Sequence, residues 1–177
     1  MPKCVRPVAP DKPARAIVSS SHLVSERSQE ASEFEFGLIV AWNAFSRWAV
    51  RCMAAAGVPD LTITDVLILH HVNHRARNKK LADICFVLNY EDTHVVAYSL
   101  KKLVAAQLVH AEKVGKEVLY APTADGEAVI TRYRDLREQC LVRNLDASMN
   151  DDIGDSARIL RSMSGQYDQA ARAAASL

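Results

Sequence analysis

The sequence predicts a mainly α-helical protein with one small β-hairpin. Two observations lead to this prediction. Apolar residues recur at helical spacing over most of the chain between residues 34 and 175. Around residues 108–121 the period changes to alternation, and a glycine separates two strand-like segments. The hairpin and the two short helices before it are the part of the chain around which the rest is organised.

The first of these short helices is predicted to begin at residue 81. Its apolar residues have spacings of three, four and seven and share one buried stripe: Leu81, Ile84, Cys85 and Leu88. Helix propensity drops over residues 89–92. Asp92 can accept hydrogen bonds from the first free amides of a second helix, so a tight turn between two helices is expected.

The second short helix is predicted over residues 93–106. Its inward stripe is apolar and consists of Val96, Leu100, Leu103 and Val104. Its opposite face carries hydroxyl, imidazole and ammonium groups and one small side chain, on Thr93, His94, Ala97, Tyr98, Lys101 and Lys102. These groups can hydrogen-bond base edges and neutralise phosphates, and a helix of this size fits the DNA major groove. The segment is therefore a candidate recognition helix.

The hairpin follows this helix directly. Residues 108–114 and 117–121 alternate in polarity and are joined at Gly115 and Lys116. A hairpin in this position is a wing, and Lys113 and Lys116 lie near its tip. Two helices and a wing together predict a winged helix-turn-helix, in which both lysines join the candidate DNA-binding residues. Thr123 is the expected N-cap of the helix that follows.

The segments on either side of this motif are predicted to be helical. A helix over residues 34–56 is apolar on several sides, which favours burial against a second subunit. The helix over residues 61–72 has Thr62 and Asp65 in a capping-box arrangement. Beyond Thr123, one helix is expected to about residue 150 and another over residues 153–175. The predicted organisation is a flexible tail (1–21), an N-terminal helical dimerisation segment (22–60), a winged helix-turn-helix DNA-binding domain (61–123) and C-terminal dimerisation helices (124–177).

Several short motifs resemble the MarR family of bacterial transcription regulators. They are Leu61-Thr62 at a helix start, Leu81-Ala82-Asp83-Ile84, the Val96/Leu100/Leu103 face, Gln107-Leu108-Val109, where a glycine usually precedes the leucine, and Pro122-Thr123-Ala124-Asp125-Gly126. The similarity spans residues 34–149. The wing is short and lacks the Asp-x-Arg that is common in the family.

The resemblance implies a function and partners. It implies a homodimer, formed by interleaved terminal helices, that binds double-stranded DNA as a sequence-specific transcription regulator. It also implies a small aromatic effector held between the dimerisation and DNA-binding regions. Trp42, Phe45 and Trp48 could line such a pocket, but their spacing fits core or dimer packing as well, and core packing is the favoured interpretation.

Charge and hydropathy agree with this class of protein. The chain has 22 basic and 21 acidic residues and a net charge of +1, so it is not a polycation. The basic residues are nevertheless concentrated between residues 75 and 116, as a phosphate-binding face requires. No apolar segment approaches the roughly 20 residues that cross a bilayer, so we expect a cytoplasmic protein without a membrane partner.

Other chemistry is weakly indicated. His70, His71 and His74 have a spacing that zinc can use, but no metalloprotease glutamate follows, and neither a metal nor a cofactor is predicted. No phosphate-binding loop or activated nucleophile is recognisable, so an enzyme is not expected. Cys52 and Cys85 lie on apolar stripes and are expected to be buried, although a redox role for a cysteine stays open. The main alternative function is a winged-helix protein-interaction module that does not bind DNA.

Overall fold

The computed structural model describes residues 21–25, 27–74 and 77–177. The predicted tail, apart from its last residue, lies outside the described residues. The chain divides into two compact units, residues 1–49 and residues 50–177. The helices are α1 (Gln29–Ala55), α2 (Ile63–Asn73), α3 (Leu81–Leu88), α4 (Thr93–Ala105), α5 (Ala124–Cys140) and α6 (Asn150–Ala174), and the strands are β1 (Lys79–Lys80), β2 (Val109–Val114) and β3 (Glu117–Pro122). Short 3-10 turns cover Ser21–Leu23, Val142–Asn144 and Ala147–Met149.

Three helices, α2, α3 and α4, form the core of the second unit. Their inward side chains are fully buried: Val66, Ile68, Leu69, Val72, Ile84, Val96, Leu100 and Leu103. The predicted capping box begins α2, because the Thr62 hydroxyl accepts from the amide of Asp65 and the Asp65 carboxylate accepts from the amide of Thr62. The mainly α fold with a winged helix-turn-helix that the sequence predicts is confirmed.

The wing, residues 109–122, is the two-stranded hairpin that the sequence predicts, but it belongs to a three-stranded antiparallel sheet of order β1-β3-β2. Strand β1 consists of the last two residues of the polar connection between α2 and α3. Lys79 pairs with Tyr120 and Lys80 with Leu119. Strand β1 is only two residues long, so it shows no alternation in sequence, and it pairs with the edge of β3 that β2 does not occupy.

A strained position joins α4 to the wing. Gln107 has φ of 59°, in the left-handed region that glycine adopts most easily. This is the position at which the MarR resemblance leads one to expect a glycine. The turn is held by a hydrogen bond of 2.6 Å from the Thr123 hydroxyl to the carbonyl of Gln107. In the first turn of α5, a Cβ on Gly126 would overlap the carbonyl oxygen of Leu108, so this close approach requires glycine.

The C-terminal helices differ from the prediction in their bounds. A single helix to about residue 150 was wrong, because α5 ends at Cys140 and two 3-10 turns follow. The Asn144 side chain donates to the carbonyl of Cys140, and the Asp146 carboxylate accepts from the amide of Ser148, so side chains replace the helical hydrogen bonds there. Helix α6 then begins at Asn150, three residues before the predicted start, and none of its residues is buried.

The first unit contains most of α1. Over this part of the helix many large apolar side chains are exposed: Phe36, Leu38, Ile39, Val40, Trp42 and Phe45. The rings of Trp42 and Phe45 lie 6.1 Å apart between centroids. The favoured interpretation of these two aromatic residues as core was wrong, since a helix apolar on several sides cannot bury all of them within one chain.

Candidate nucleic-acid interface

The turn between α3 and α4 is fixed by two local features. Asn89 ends α3 in the left-handed conformation with φ of 56°, which asparagine tolerates better than most residues. Asp92 then caps α4, as predicted, and its carboxylate accepts a hydrogen bond of 2.8 Å from the amide of His94. A negative charge at this end of the helix also interacts favourably with the helix dipole. The start and direction of α4 are therefore well determined.

Helix α4 has one buried face and one exposed face. Most of the predicted recognition residues, namely Thr93, His94, Tyr98 and Lys101, are exposed, and Ala97 is half-buried. Tyr98 is the most prominent of them, with 73% of its surface exposed. The exposed face thus carries an imidazole, a phenol and an ammonium group, on His94, Tyr98 and Lys101.

Lys102 is placed differently from the other predicted DNA-binding residues. Its ammonium group donates to the Asp65 carboxylate at 2.8 Å and to the carbonyl of Asp60 at 2.6 Å. Only a third of its side chain, 33%, is exposed. Both partners lie at or before the start of α2, so Lys102 connects α4 to the beginning of α2.

The lysines at the tip of the wing differ from the lysine at the edge of the sheet. Lys113 and Lys116, which the sequence predicts at the tip, are exposed, and Gly115 between them has φ of 63° as the turn requires. Lys80, at the sheet edge, instead forms an ion pair of 2.7 Å with Glu117. The hydrogen bond to Glu117, followed by its charge, raises the pKa of Lys80. The tip of the wing therefore presents two exposed cations, whereas the charge of Lys80 is neutralised by Glu117 within the sheet.

Lys79 illustrates why local basicity overstates the phosphate-binding charge. It is buried, and its ammonium group donates to the carbonyls of His74 and Arg77 at 2.6 and 2.8 Å. Of the basic residues between positions 75 and 116, Lys79, Lys80 and Lys102 are thus engaged within the protein. Periodicity does not distinguish such lysines from solvated ones.

Sequence reasoning missed two polar residues behind the exposed face. Ser99 lies on the inward side of α4 and is buried, and its hydroxyl donates to the Asp65 carboxylate at 2.6 Å. Asp65 was recognised only as part of a capping box, although it also accepts from Lys102. The available signal was Ser99 itself, because a serine beside a buried apolar stripe needs a polar partner.

The Asp65 carboxylate is ionised because of these contacts. Burial alone would raise its pKa, but the hydrogen bonds from Lys102, Ser99 and Thr62 more than offset burial and hold that pKa below its ordinary value of 3.8. A groove of about 490 Å³ runs beside these residues. It is bordered by Thr62, Thr64, Asp65, Asp92, His94, Val95, Tyr98, Ser99 and Lys102.

Comparison with known proteins agrees with this geometry. Residues 61–126 match the model of a family described as winged helix DNA-binding domains. No curated protein matches the sequence. Among solved structures, AbfR of Staphylococcus epidermidis is similar over 80% of this chain and 96% of its own, with 15% identity and a TM-score of 0.67.

Two further structures have the same arrangement of elements. A MarR transcriptional regulator from Methanosarcina mazei is 15% identical, with a TM-score of 0.62, over 76% of this chain and 99% of its own. A cysteine-to-serine mutant of MarR from E. coli, complexed with operator DNA, is 18% identical, with a TM-score of 0.60, over 78% of this chain and 99% of its own.

The chain has a MarR-like winged helix-turn-helix fold. Within this MarR-like fold, α3 and α4 occupy the positions of the helix-turn-helix and residues 109–122 that of the wing. None of the described helices is both long and apolar enough to span a membrane.

His70 and the cysteines of the described residues belong to elements other than α4. His70 packs edge-on against Tyr133, with 4.5 Å between ring centroids, and its buried Nε2 has no hydrogen-bond partner among the described residues. Burial lowers the pKa of His70. Cys52 and Cys85 are buried as predicted, and burial raises the pKa of both thiols, which disfavours the reactive thiolate. Cys140 is exposed.

Proposed function

We propose that the protein is a homodimeric transcription regulator of MarR type that binds a pseudo-palindromic DNA site. The observation that carries the proposal is the exposed face of α4, where His94, Tyr98 and Lys101 are presented by a helix whose opposite face is fully buried. His94 and Tyr98 read base edges, and Thr93 and Lys101 contact bases or phosphates. The wing contributes Lys113 and Lys116 as salt-sensitive phosphate contacts.

The dimer is supported by apolar surface that remains exposed in the part of the chain that the structure describes. In the second unit, α6 has exposed Ile153, Ile159 and Leu160. In the first unit, α1 exposes six large apolar side chains. Large exposed apolar patches indicate association. Two paired α4 helices would enter successive major grooves, which gives a half-site spacing of about 10 base pairs.

Selection of bound duplexes from a random pool tests the proposal. A pseudo-palindromic consensus is expected, and His94→Ala with Tyr98→Ala should remove the preference for it while the dimer stays intact, as measured by gel filtration with light scattering. Each lost base contact should reduce discrimination by about 1–3 kcal/mol. Full selectivity in the double variant would show that another surface reads the DNA. Regulation by a small aromatic effector stays a prediction.

A second candidate, a winged-helix protein-interaction module without DNA binding, is favoured by one observation. Three of the predicted phosphate-facing or nearby lysines, Lys79, Lys80 and Lys102, have partners within the domain. A titration with mixed genomic fragments across a salt series separates the two functions. The affinity of a regulator for DNA falls steeply as the salt concentration rises, whereas an interaction module binds DNA weakly at every salt concentration.

A further inference from the structure

Two neighbouring lysines on α4 have opposite surroundings. Lys101 is exposed, whereas the ammonium group of Lys102 contacts Asp65 and the carbonyl of Asp60. Both are cations of the same type, one residue apart on the same helix. The structure therefore gives them different roles, although the sequence alone places both on the outer face.

The Asp65 network, which consists of Asp65, Ser99 and Lys102, links the first turn of α2 to two successive turns of α4. The Asp65 carboxylate accepts hydrogen bonds from the Ser99 hydroxyl at 2.6 Å, from the Lys102 ammonium group at 2.8 Å and from the amide of Thr62 at 2.8 Å. Only 2% of Asp65 is exposed. A buried carboxylate held by three donors from two helices allows little rotation of one helix against the other, because any movement would leave the charge unpaired.

The apolar contacts of α4 do not fix its orientation so strictly. Val96, Leu100 and Leu103 form its fully buried stripe, and hydrophobic burial is not directional. Ser99 and Lys102 lie on the side of α4 that faces the start of α2. Their hydrogen bonds supply the directional restraint, and they border the same groove as His94 and Tyr98.

We infer that Asp65 is a positioning residue, which sets the rotation of α4 through Ser99 and Lys102 and thereby aims His94 and Tyr98 at the base edges. This inference rests on the proposed function. Asp65 does not touch DNA in this arrangement. Lys102 serves sequence discrimination through Asp65, while Lys101 serves affinity through phosphate.

The test compares two affinities, one for the duplex selected from the random pool and one for a scrambled duplex, across a salt series. The proteins are the full-length wild type, Ser99→Ala, Lys102→Met and Lys101→Met, each measured at a temperature where it is fully folded. Thr62→Ala is the stability control, because it removes a hydroxyl that caps α2 but leaves both contacts to α4.

The inference predicts that Ser99→Ala and Lys102→Met reduce the ratio of the two affinities by about fivefold or more, the size expected when a base contact is misaligned. The slope of log affinity against log salt should not change in these two variants. Lys101→Met should weaken both duplexes alike and reduce that slope by about one. Thr62→Ala should keep the wild-type ratio, although it unfolds at a lower temperature.

Three results would overturn the inference. A selective wild type whose ratio survives in both Ser99→Ala and Lys102→Met would leave the proposed function intact and remove the role of Asp65. A loss of salt slope in Lys102→Met equal to that in Lys101→Met would show that Lys102 contacts phosphate. A wild type that prefers no duplex would end the proposed function and the inference together.

Discussion

Helices α4 and α6 belong to the same compact unit but differ in the burial of their apolar residues. The 13 residues of α4 include Val96, Leu100 and Leu103, which are fully buried. The 25 residues of α6 include none that is buried, although Ile153 and Leu160 lie on one side of the helix. The winged helix-turn-helix is thus complete within one chain. Helix α6 has an apolar face that the described residues leave exposed.

The two regions also differ in how they use charge. In the winged helix-turn-helix, two lysines pair with carboxylates that are distant in sequence, Lys102 with Asp65 and Lys80 with Glu117. On α6, Arg158 and Asp155 form an exposed ion pair between neighbours on the same helix. Ion pairs between distant residues thus restrain the winged helix-turn-helix, whereas the ion pair on α6 restrains no other element.

The largest effect is expected from a charge on the apolar side of α6. Leu160→Glu should give a monomer, because a carboxylate cannot be buried in the proposed dimer contact without a partner. Loss of the second recognition helix should lower affinity for a full palindromic site by about a hundredfold or more. Light scattering and a binding titration measure the two effects.

Ser162→Glu is the matched control for that variant. It introduces the same charge two residues away, on the opposite side of α6, where an exposed serine now lies. This protein should remain a dimer with wild-type affinity. If Leu160→Glu behaves like Ser162→Glu, the apolar side of α6 is not the contact between subunits.

A smaller effect, on stability, is expected from the Asp65 network. Asp65→Ala should lower the free energy of unfolding by about 3 kcal/mol, because it leaves Lys102 without its carboxylate and Ser99 without an acceptor. The hydrogen bonds hold the folded pKa below 3.8, so the unfolded carboxyl is the first to take up a proton as pH falls. The contribution of Asp65 is therefore complete above about pH 4 and is lost as pH falls through the folded pKa.

Urea unfolding between about pH 7 and pH 2.5 measures this dependence. Asp65→Asn removes the titration but keeps the size of the side chain, so its stability should vary less with pH below about pH 4 than that of the wild type. If the free energy of unfolding falls with pH equally in the two proteins, other carboxyl groups cause the acid sensitivity.

The sequence was sufficient where the deciding signals are local. The stripe on α4, its Asp92 cap, the capping box at Thr62 and the glycine turn of the wing all depend on residues within a few positions of each other. Each of these features is present in the structure. The exposed position of His94 and Tyr98 follows from the same helical period, so that part of the candidate site was accessible from the sequence.

The sequence did not predict contacts between residues that lie far apart in the chain. Lys102 has its carboxylate 37 residues earlier in the chain, and strand β1 pairs with residues some 40 positions later. Helical periodicity locates the border between the buried and the exposed face only to within one or two residues. It therefore cannot decide whether Lys101 or Lys102 points towards the protein. The end of α5 at Cys140 depends on the Asn144 side chain replacing a backbone hydrogen bond, a choice that propensity does not predict.

His70 offers a way to change the packed region without touching the α4 surface. His70→Phe should raise the free energy of unfolding by about 1 kcal/mol at neutral pH, because it removes a buried nitrogen without a hydrogen-bond partner among the described residues and keeps a ring against Tyr133. Burial lowers the pKa of His70 from 6.5, so the unfolded chain is protonated first, and wild-type stability should fall as pH drops below 6.5.

Thermal unfolding from about pH 7.5 to pH 5 shows whether the variant loses that dependence. Tyr133→Phe keeps both rings and the histidine, so it should retain the acid slope of the wild type. A histidine variant as sensitive to acid as the wild type would assign the slope to other groups, such as His71, whose pKa is also lowered, chiefly by burial.

The smallest effect is expected at the wing, where internal pairing limits the charge offered to DNA. The ion pair between Lys80 and Glu117 is half-exposed, so solvent screens it, and Glu117→Gln should leave the free energy of unfolding nearly unchanged. The lysine released from its carboxylate becomes available to phosphate. Affinity for any duplex at low salt should rise a few-fold, and the salt dependence should steepen by about one unit of slope.

The double variant Lys80→Met with Glu117→Gln separates the released cation from the lost anion. It has the same net charge as the wild type and no lysine at position 80. If the gain comes from Lys80, the double variant returns to the wild-type slope. If the steep slope persists, the carboxylate of Glu117 was repelling phosphate directly, and pairing within the sheet was not what limited the wing.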